Sequence, residues 1–212
     1  MAKELQKRIL SSMIIIPLSL FFIIKGSTFF ILFLLILFLI SSTEWLNMTK
    51  KLELKFLGIS FLIFSFYSTF YIREEGLMDF LLIMIICVST DLGGYIFGKL
   101  FKGPKLIKIS PNKTYSGMLG GFLFSIVTSY LFVTKYDLIS SFNNTFIGNL
   151  KFLILIFTIS SISQIGDLII SYFKRISKIK NTGKIFPGHG GMLDRIDGMI
   201  FVFPILYLLD KF

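Results

Sequence analysis

Phe29-Phe30-Ile31-Leu32-Phe33-Leu34-Leu35-Ile36-Leu37-Phe38-Leu39-Ile40 is an unbroken apolar run with no polar position to mark a solvent face. A surface helix or strand of a soluble protein would break such a run every few residues. Extended outward to Ser27 and Leu46, the block reaches the roughly 20 residues that a helix needs to cross a bilayer. One similar block precedes it, Leu5–Ile24, and five follow: Phe56–Ile72, Leu77–Gly98, Tyr115–Thr134, Leu150–Phe173 and Met192–Leu209. Of 212 residues, 54% are hydrophobic and 16% charged, too little polar surface for a soluble domain of this size. Spanning segments must satisfy their own backbone hydrogen bonds, and the solid blocks lack the period-two alternation of a membrane β-barrel. The sequence predicts an all-α, polytopic membrane protein of about seven transmembrane helices, with residues 1–212 as a single integral membrane domain.

Charge sets the orientation. Lys and Arg concentrate in cytoplasmic loops. With the N-terminus in the cytoplasm, most of the 22 Lys and Arg fall on the cytoplasmic side, and only Lys25, Arg73, Lys135, Lys151 and Lys211 fall on the other. The net charge of +10 is then largely a matter of topology and implies no nucleic-acid partner. The single Cys87 lies in an apolar run and reads as packing.

Five acids lie in or at the edge of the apolar blocks: Glu44, Asp91, Asp167, Asp194 and Asp197. A charge placed in hydrocarbon costs at least ~2.5 kcal/mol, so such residues face a polar cavity, a partner or an ion. Glu44, beside Trp45, reads as an interfacial carboxylate touching water. The four aspartates share the cytoplasmic side. Asp194 and Asp197 stand on one helix face, and Ser163, Asp167 and Ser171 form a second polar stripe at a spacing of four. Carboxylates surrounded by lysines suit Mg²⁺ and a polyphosphate. Zinc is not expected, with one His and one Cys in the chain.

Two cytoplasmic loops carry most of the remaining polar residues. The first runs from Gly98-Lys99 through Ser110-Pro111-Asn112-Lys113-Thr114. Gly93 to Lys99 fits the spacing of a P-loop, but Leu100 stands in place of the Ser or Thr, and no strand precedes it. The pairs Gly94/Gly98 and Gly117/Gly121 read instead as sites of close helix packing. The second loop runs from Lys174-Arg175 through Lys180-Asn181-Thr182-Gly183-Lys184 to Pro187-Gly188-His189-Gly190-Gly191. Its glycines let backbone approach a ligand closely, and amides at the start of the last helix favour an anion there.

The stretch Ser171-Tyr172-Phe173-Lys174-Arg175, then Lys180-Asn181, then Pro187-Gly188-His189-Gly190-Gly191-Met192-Leu193-Asp194-Arg195-Ile196-Asp197 closely resembles the signature of the phosphatidate cytidylyltransferases, or CDP-diacylglycerol synthases. Asp91, Gly94-Tyr95, Gly98-Lys99, Ser110-Pro111, Lys113-Thr114, Gly117, Gln164 and Gly166-Asp167 resemble other blocks of that family, and Glu44-Trp45 a weaker N-terminal feature. Asn181 departs from the usual Asp, and Asn112, Tyr115 and Ser116 from the usual Lys, Trp and Glu. The chain is also short for the family, by about two spans on its N-terminal side.

The resemblance implies CMP transfer from CTP to phosphatidic acid, with pyrophosphate released. It implies N-terminal helices over 1–76 and a motif-bearing catalytic part over 77–212. It makes Asp167, Asp194 and Asp197 the metal positions, for two Mg²⁺ or for Mg²⁺ beside a monovalent cation such as K⁺. Lys174, Arg175 and His189 join them in catalysis. Asp91, Lys99, Ser110, Lys113, Thr114, Ser171, Lys180, Gly188, Gly190, Gly191 and Arg195 become substrate contacts. It also implies a homodimer in the cell membrane with the site facing the cytoplasm. Two other classes fit the intramembrane acids, a cation-coupled transporter and a CTP-dependent polyprenol-type lipid kinase. No internal repeat of the transporter kind is visible, and the acids lie towards one membrane face.

Overall fold

The computed structural model describes residues 2–107, 110–136, 146–183, 185 and 190–211. Helices α1 (Ala2–Lys25), α2 (Ser27–Met48), α3 (Leu52–Glu75) and α4 (Leu77–Phe101) lead into a short ribbon of β1 (Lys105–Ile107) and β2 (Ser110–Thr114). Helices α5 (Tyr115–Lys135), α6 (Phe146–Ile176), α7 (Leu193–Ile196) and α8 (Met199–Lys211) complete the chain. Among the described residues, α2 to α5 and residues Gly148–Ile176 of α6 are long and apolar enough to cross a membrane, and Ile15–Lys25 and Met199–Leu209 are shorter apolar helices. At 1.5 Å per residue, the 31 residues of α6 measure about 46 Å. That exceeds the hydrocarbon thickness and leaves Lys174 and Arg175 on its final turn.

Two expectations are corrected. The loop between α4 and α5 contains an antiparallel two-stranded ribbon, with Lys105 opposite Thr114 and Ile107 opposite Ser110. The block Met192–Leu209 is not one helix, because it breaks at Asp197-Gly198 between α7 and α8. The reason is local. Asp197 Oδ1 accepts from the Gly198 N–H at 3.0 Å, an alternative to helical bonding. On either side the backbone tightens to i→i+3 bonds, from Arg195 N to Met192 O and from Phe201 N to Gly198 O.

The chain forms two compact units, one of residues 1–77 with 170–212 and one of residues 78–169. In the first, α1 turns into α2 at Gly26, whose φ of 63° suits a residue without Cβ. Arg73 of α3 donates from Nε and Nη2 to Ile23 O at 3.0 and 2.9 Å, satisfying a carbonyl at the open end of α1. The core joins Trp45 and Met48 of α2, Leu62 of α3, Ile170 of α6, Leu193 of α7 and Ile200 of α8. Trp45 packs edge-on to Phe173 at 5.0 Å and donates its indole N–H to Leu54 O at 2.9 Å. Ser65 on α3 donates to Ile200 O at 2.8 Å, at the start of α8.

In the second unit, α4 and α5 approach through glycine, as the small-residue pairs predict. A Cβ on Gly117 would lie 2.7 Å from Gly94 O, and one on Gly93 would lie 2.6 Å from Gly120 O. Thr90 of α4 donates to Ser160 of α6 at 2.8 Å, a hydroxyl pair fully enclosed between the helices. The stretch Gly93–Lys99 that mimics a P-loop is helical throughout.

Candidate active site

Asp194 of the signature is held at both of its carboxylate oxygens. Its position comes from Leu193, fully buried in the core, which anchors the single turn α7 by about 1.5–3 kcal/mol of apolar burial. Asp194 Oδ1 receives the Lys174 ammonium at 2.7 Å. Oδ2 accepts from Thr182 N at 2.9 Å, from Gly191 N at 3.0 Å and from the Thr182 hydroxyl at 3.1 Å. Burial alone would raise the pKa of this carboxyl. The Lys174 hydrogen bond, the Gly191 amide, the Lys174 charge and the Thr182 amide outweigh it and hold the group below its ordinary value. Gly190 adopts φ 88°, and a Cβ there would lie 2.8 Å from Asp194 Oδ2 and 3.3 Å from Asn181 Cβ. Only glycine fits between the two.

The reading of Glu44 as a water-touching carboxylate is overturned. Glu44 is 4% exposed. Its Oε1 accepts from Met192 N at 2.9 Å, and its Oε2 accepts from Leu193 N at 2.8 Å and from the Thr182 hydroxyl at 2.8 Å. Removing a carboxylate from water costs several kcal/mol, and three donors offset that cost. The anion at the start of α7 is therefore the protein's own side chain, and the amides of Met192 and Leu193 are engaged. Gly183 and Gly191 leave room for it, because a Cβ on either would overlap the Glu44 carboxylate. The one sequence signal was the resemblance of Glu44-Trp45 to an N-terminal feature of the family, and nothing local pointed to its partners.

The other aspartate of this unit, Asp197, is 9% exposed and caps the break before α8. Ser171 is buried on α6, while Arg175, Lys180 and Arg195 are exposed. His189, Gly188, Pro187 and Lys184 lie outside the described residues.

In the second unit, Lys113 on β2 pairs with Asp167 on α6, both side chains about a quarter exposed at 25% and 27%. Thr114 is the N-cap of α5, its hydroxyl accepting from Gly117 N at 3.1 Å. Ser116, where the family pattern has Glu, places its hydroxyl 3.0 Å from that of Thr114 and accepts from Gly103 N at 3.3 Å. Lys99 lies over the Tyr95 ring at 5.8 Å, Asp91 is exposed on α4, and Ser110 opens β2. Thus Lys113 meets Asp167, and Lys174, Gly191 and Thr182 meet Asp194. Among the described residues, no three His, Cys, Asp or Glu side chains converge as a ready-made metal cage. Each unit thus presents one aspartate of the family pattern facing a lysine ammonium, Asp194 in the first and Asp167 in the second.

Residues 53–212 match the cytidylyltransferase family. The chain is 32% identical to the phosphatidate cytidylyltransferase of Rickettsia bellii over 222 residues, covering 99% of this chain and 94% of that protein. With the Rickettsia felis phosphatidate cytidylyltransferase it shares 33% identity over 220 residues, covering 99% and 95%. With that of Staphylococcus epidermidis it shares 41% over 160 residues, which is 74% of this chain and 56% of the longer protein. Shortness against the staphylococcal protein is accordingly shared with the rickettsial ones. The signature from Ser171 to Asp197 lies wholly inside the matched region, and the chain belongs to the cytidylyltransferase family.

Proposed function

We propose that this protein transfers the cytidylyl group of CTP to phosphatidate in the membrane, forming CDP-diacylglycerol and pyrophosphate. The observation that carries the reading is the near full-length similarity to phosphatidate cytidylyltransferases, and the lysine-paired aspartates of the signature support it. A phosphate oxygen of phosphatidate attacks the α-phosphorus of CTP. The bond from that phosphorus to the oxygen bridging the β-phosphate breaks, and its electron pair leaves with pyrophosphate. Two anions must meet, so charge neutralisation and alignment dominate the barrier. The phosphatidate oxygen is already anionic at neutral pH, so no strong general base is needed.

Lys174 and Arg175 at the end of α6, and Lys113 on β2, are the neutralising groups. Arg grips phosphate bidentately, and Lys acts as a point charge. His189 and Gly188 take nucleotide phosphate, as the resemblance implies, with Lys99, Ser110 and Lys180 as further contacts. Asp167, Asp194 and Asp197 are the residues that would hold Mg²⁺, two ions or one beside K⁺. Their oxygens fit a hard cation, and Asp167 and Asp194 already face cationic ammonium groups. Mg²⁺ takes one or two carboxylates and completes its shell with substrate phosphates and water, so no all-protein cage is required. When bound, the ion supplies charge to the triphosphate and the leaving pyrophosphate.

We read α1 and α8 as crossings beside the five long apolar helices, seven in all, a reading their shorter apolar stretches Ile15–Lys25 and Met199–Leu209 support. The lysine distribution supports an N-terminus and a reaction in the cytoplasm, where CTP arrives from water and the lipid enters sideways. The working form is a homodimer in the cell membrane. The test is purified protein in detergent with phosphatidate, Mg²⁺ and CTP labelled at the α-phosphate. Labelled lipid that comigrates with CDP-diacylglycerol is expected. Label confined to unreacted CTP, or phosphate transferred to an alcohol from γ-labelled CTP, would overturn the reading.

A further inference from the structure

We propose that Glu44 is a positioning residue of the reaction: from α2 it aims Asp194 by clamping both backbone segments that hold that aspartate. The inference rests on the cytidylyl-transfer reading for its kinetic consequence, but its structural content stands on geometry. Asp194 is held by two pieces of chain. One is its own turn, α7, and the other is the segment at Thr182, whose amide and hydroxyl both reach Oδ2. Glu44 bonds to each piece. It takes the amides of Met192 and Leu193, immediately before Asp194, and the hydroxyl of Thr182.

These contacts differ from an ordinary cap. Helix α7 is a single turn of four residues, too short to hold its own geometry. Its first N–H groups are orphans with no intrahelical partner, and here they are buried with Met192 at 8% and Leu193 at 0% exposure. A buried N–H left unpaired is costly, so the position of α7 is dictated by whatever accepts those bonds. The acceptor is one carboxylate on α2, a helix fixed independently by the Trp45 contacts to Leu54 and Phe173. Thr182 links the two acids: its single hydroxyl proton lies between Glu44 Oε2 and Asp194 Oδ2. Gly183 and Gly191 have no side chain where one would displace the Glu44 carboxylate.

The decisive variant is Glu44→Gln, which keeps size and burial. A carboxamide has one acceptor and one donor end. In one orientation its NH₂ opposes Met192 N–H, and in the other it opposes Leu193 N–H, so one amide loses its partner whichever way it turns. Expected for the purified variant is a fall in kcat of about 30-fold or more. The KM for CTP should stay within about threefold, because no substrate contact is removed. Deuterium uptake over residues 190–196 should accelerate about tenfold or more, while α3 peptides exchange as in wild type. Glu53→Gln, which removes an exposed carboxylate at the start of α3, should match wild type in both readouts and controls for lost charge.

Unchanged kcat with unchanged exchange would overturn the proposal. So would a Glu44→Gln protein that loses its fold throughout, since the carboxylate would then hold the whole unit and not aim one loop. Should wild type form no cytidine lipid, the proposed reaction fails, and the exchange measurement alone still decides whether Glu44 clamps α7.

Discussion

Replacing Asp194 with Asn separates the fold from the chemistry, and the structure sets the size of each effect. The Asn carbonyl can keep the bonds from Thr182 N and Gly191 N, at 2.9 and 3.0 Å, that Oδ2 now accepts. The NH₂ group then falls where Oδ1 stood, donor against donor to Lys174 Nζ at 2.7 Å. The two side chains are 13% and 7% exposed, so solvent does little to replace the lost pair. The loss is one charge-assisted hydrogen bond, worth about 1.5–3 kcal/mol. For about 200 residues that corresponds to roughly 3–12 °C in the melting temperature. The variant should therefore extract from membranes and run as a folded species. Turnover should fall about 10³-fold or more, because Asn holds a cation far more weakly than Asp, and the charge stabilisation that cation would supply is worth about 4 kcal/mol in such sites. The assay is formation of labelled CDP-diacylglycerol at saturating CTP and Mg²⁺, paired with a melting curve in the same detergent. Turnover within tenfold of wild type would refute the assignment of Asp194 to the reaction. A variant that aggregates on extraction would refute the account of which bonds Asn retains.

Three further outcomes follow from the same geometry. Lys174→Ala with Arg175→Ala should raise the apparent KM for CTP or phosphatidate by about tenfold or more, and unchanged kinetics would remove both residues from the site. Stripping divalent cations with a chelator should abolish turnover, and Mg²⁺ should restore it where Zn²⁺ does not; chelator-resistant activity would exclude the three aspartates as cation ligands. Gly117→Ala should lower the melting temperature through overpacking of about 1–3 kcal/mol, since the new methyl group meets Gly94 O at 2.7 Å, and an unperturbed melt would show that α4 and α5 separate freely.

What could be read from the chain was whatever repeats locally. Blocks of apolar residues announced the long helices, because lipid demands length and uniformity from a single segment. The four-residue spacing of Gly94, Gly98, Gly117 and Gly121 announced close helix contact for the same reason. The ribbon of β1 and β2 has no such signature, because its strands carry Lys105, Pro111 and Lys113, with no apolar alternation to mark them. The break at Asp197-Gly198 was masked by strongly apolar neighbours on both sides. Glu44 was misread for a different reason. Its partners Thr182, Met192 and Leu193 lie 138, 148 and 149 residues away. A carboxylate beside Trp at the end of an apolar run has the same local appearance whether its bonds go to water or to buried amides.

The two acids of the signature unit show how donors tell such carboxylates apart. A carboxylate has about four acceptor sites. Glu44 spends two bonds on backbone amides, which cannot withdraw without moving the chain, and shares the Thr182 hydroxyl with Asp194. Nothing can enter there unless α7 is displaced. Asp194 holds two bonds in the same fixed way, on Thr182 N and Gly191 N, both at Oδ2, where the shared Thr182 hydroxyl also lies. Its Oδ1 accepts from Lys174, an ammonium on a flexible four-carbon stem that rotates away at little cost. Oδ1 is therefore the one position of this pair that can exchange partners while the backbone stays still. Both acids are largely withdrawn from water, Glu44 the more completely. Only the mobility of the donor distinguishes the carboxylate that holds the site from the one able to take part in it.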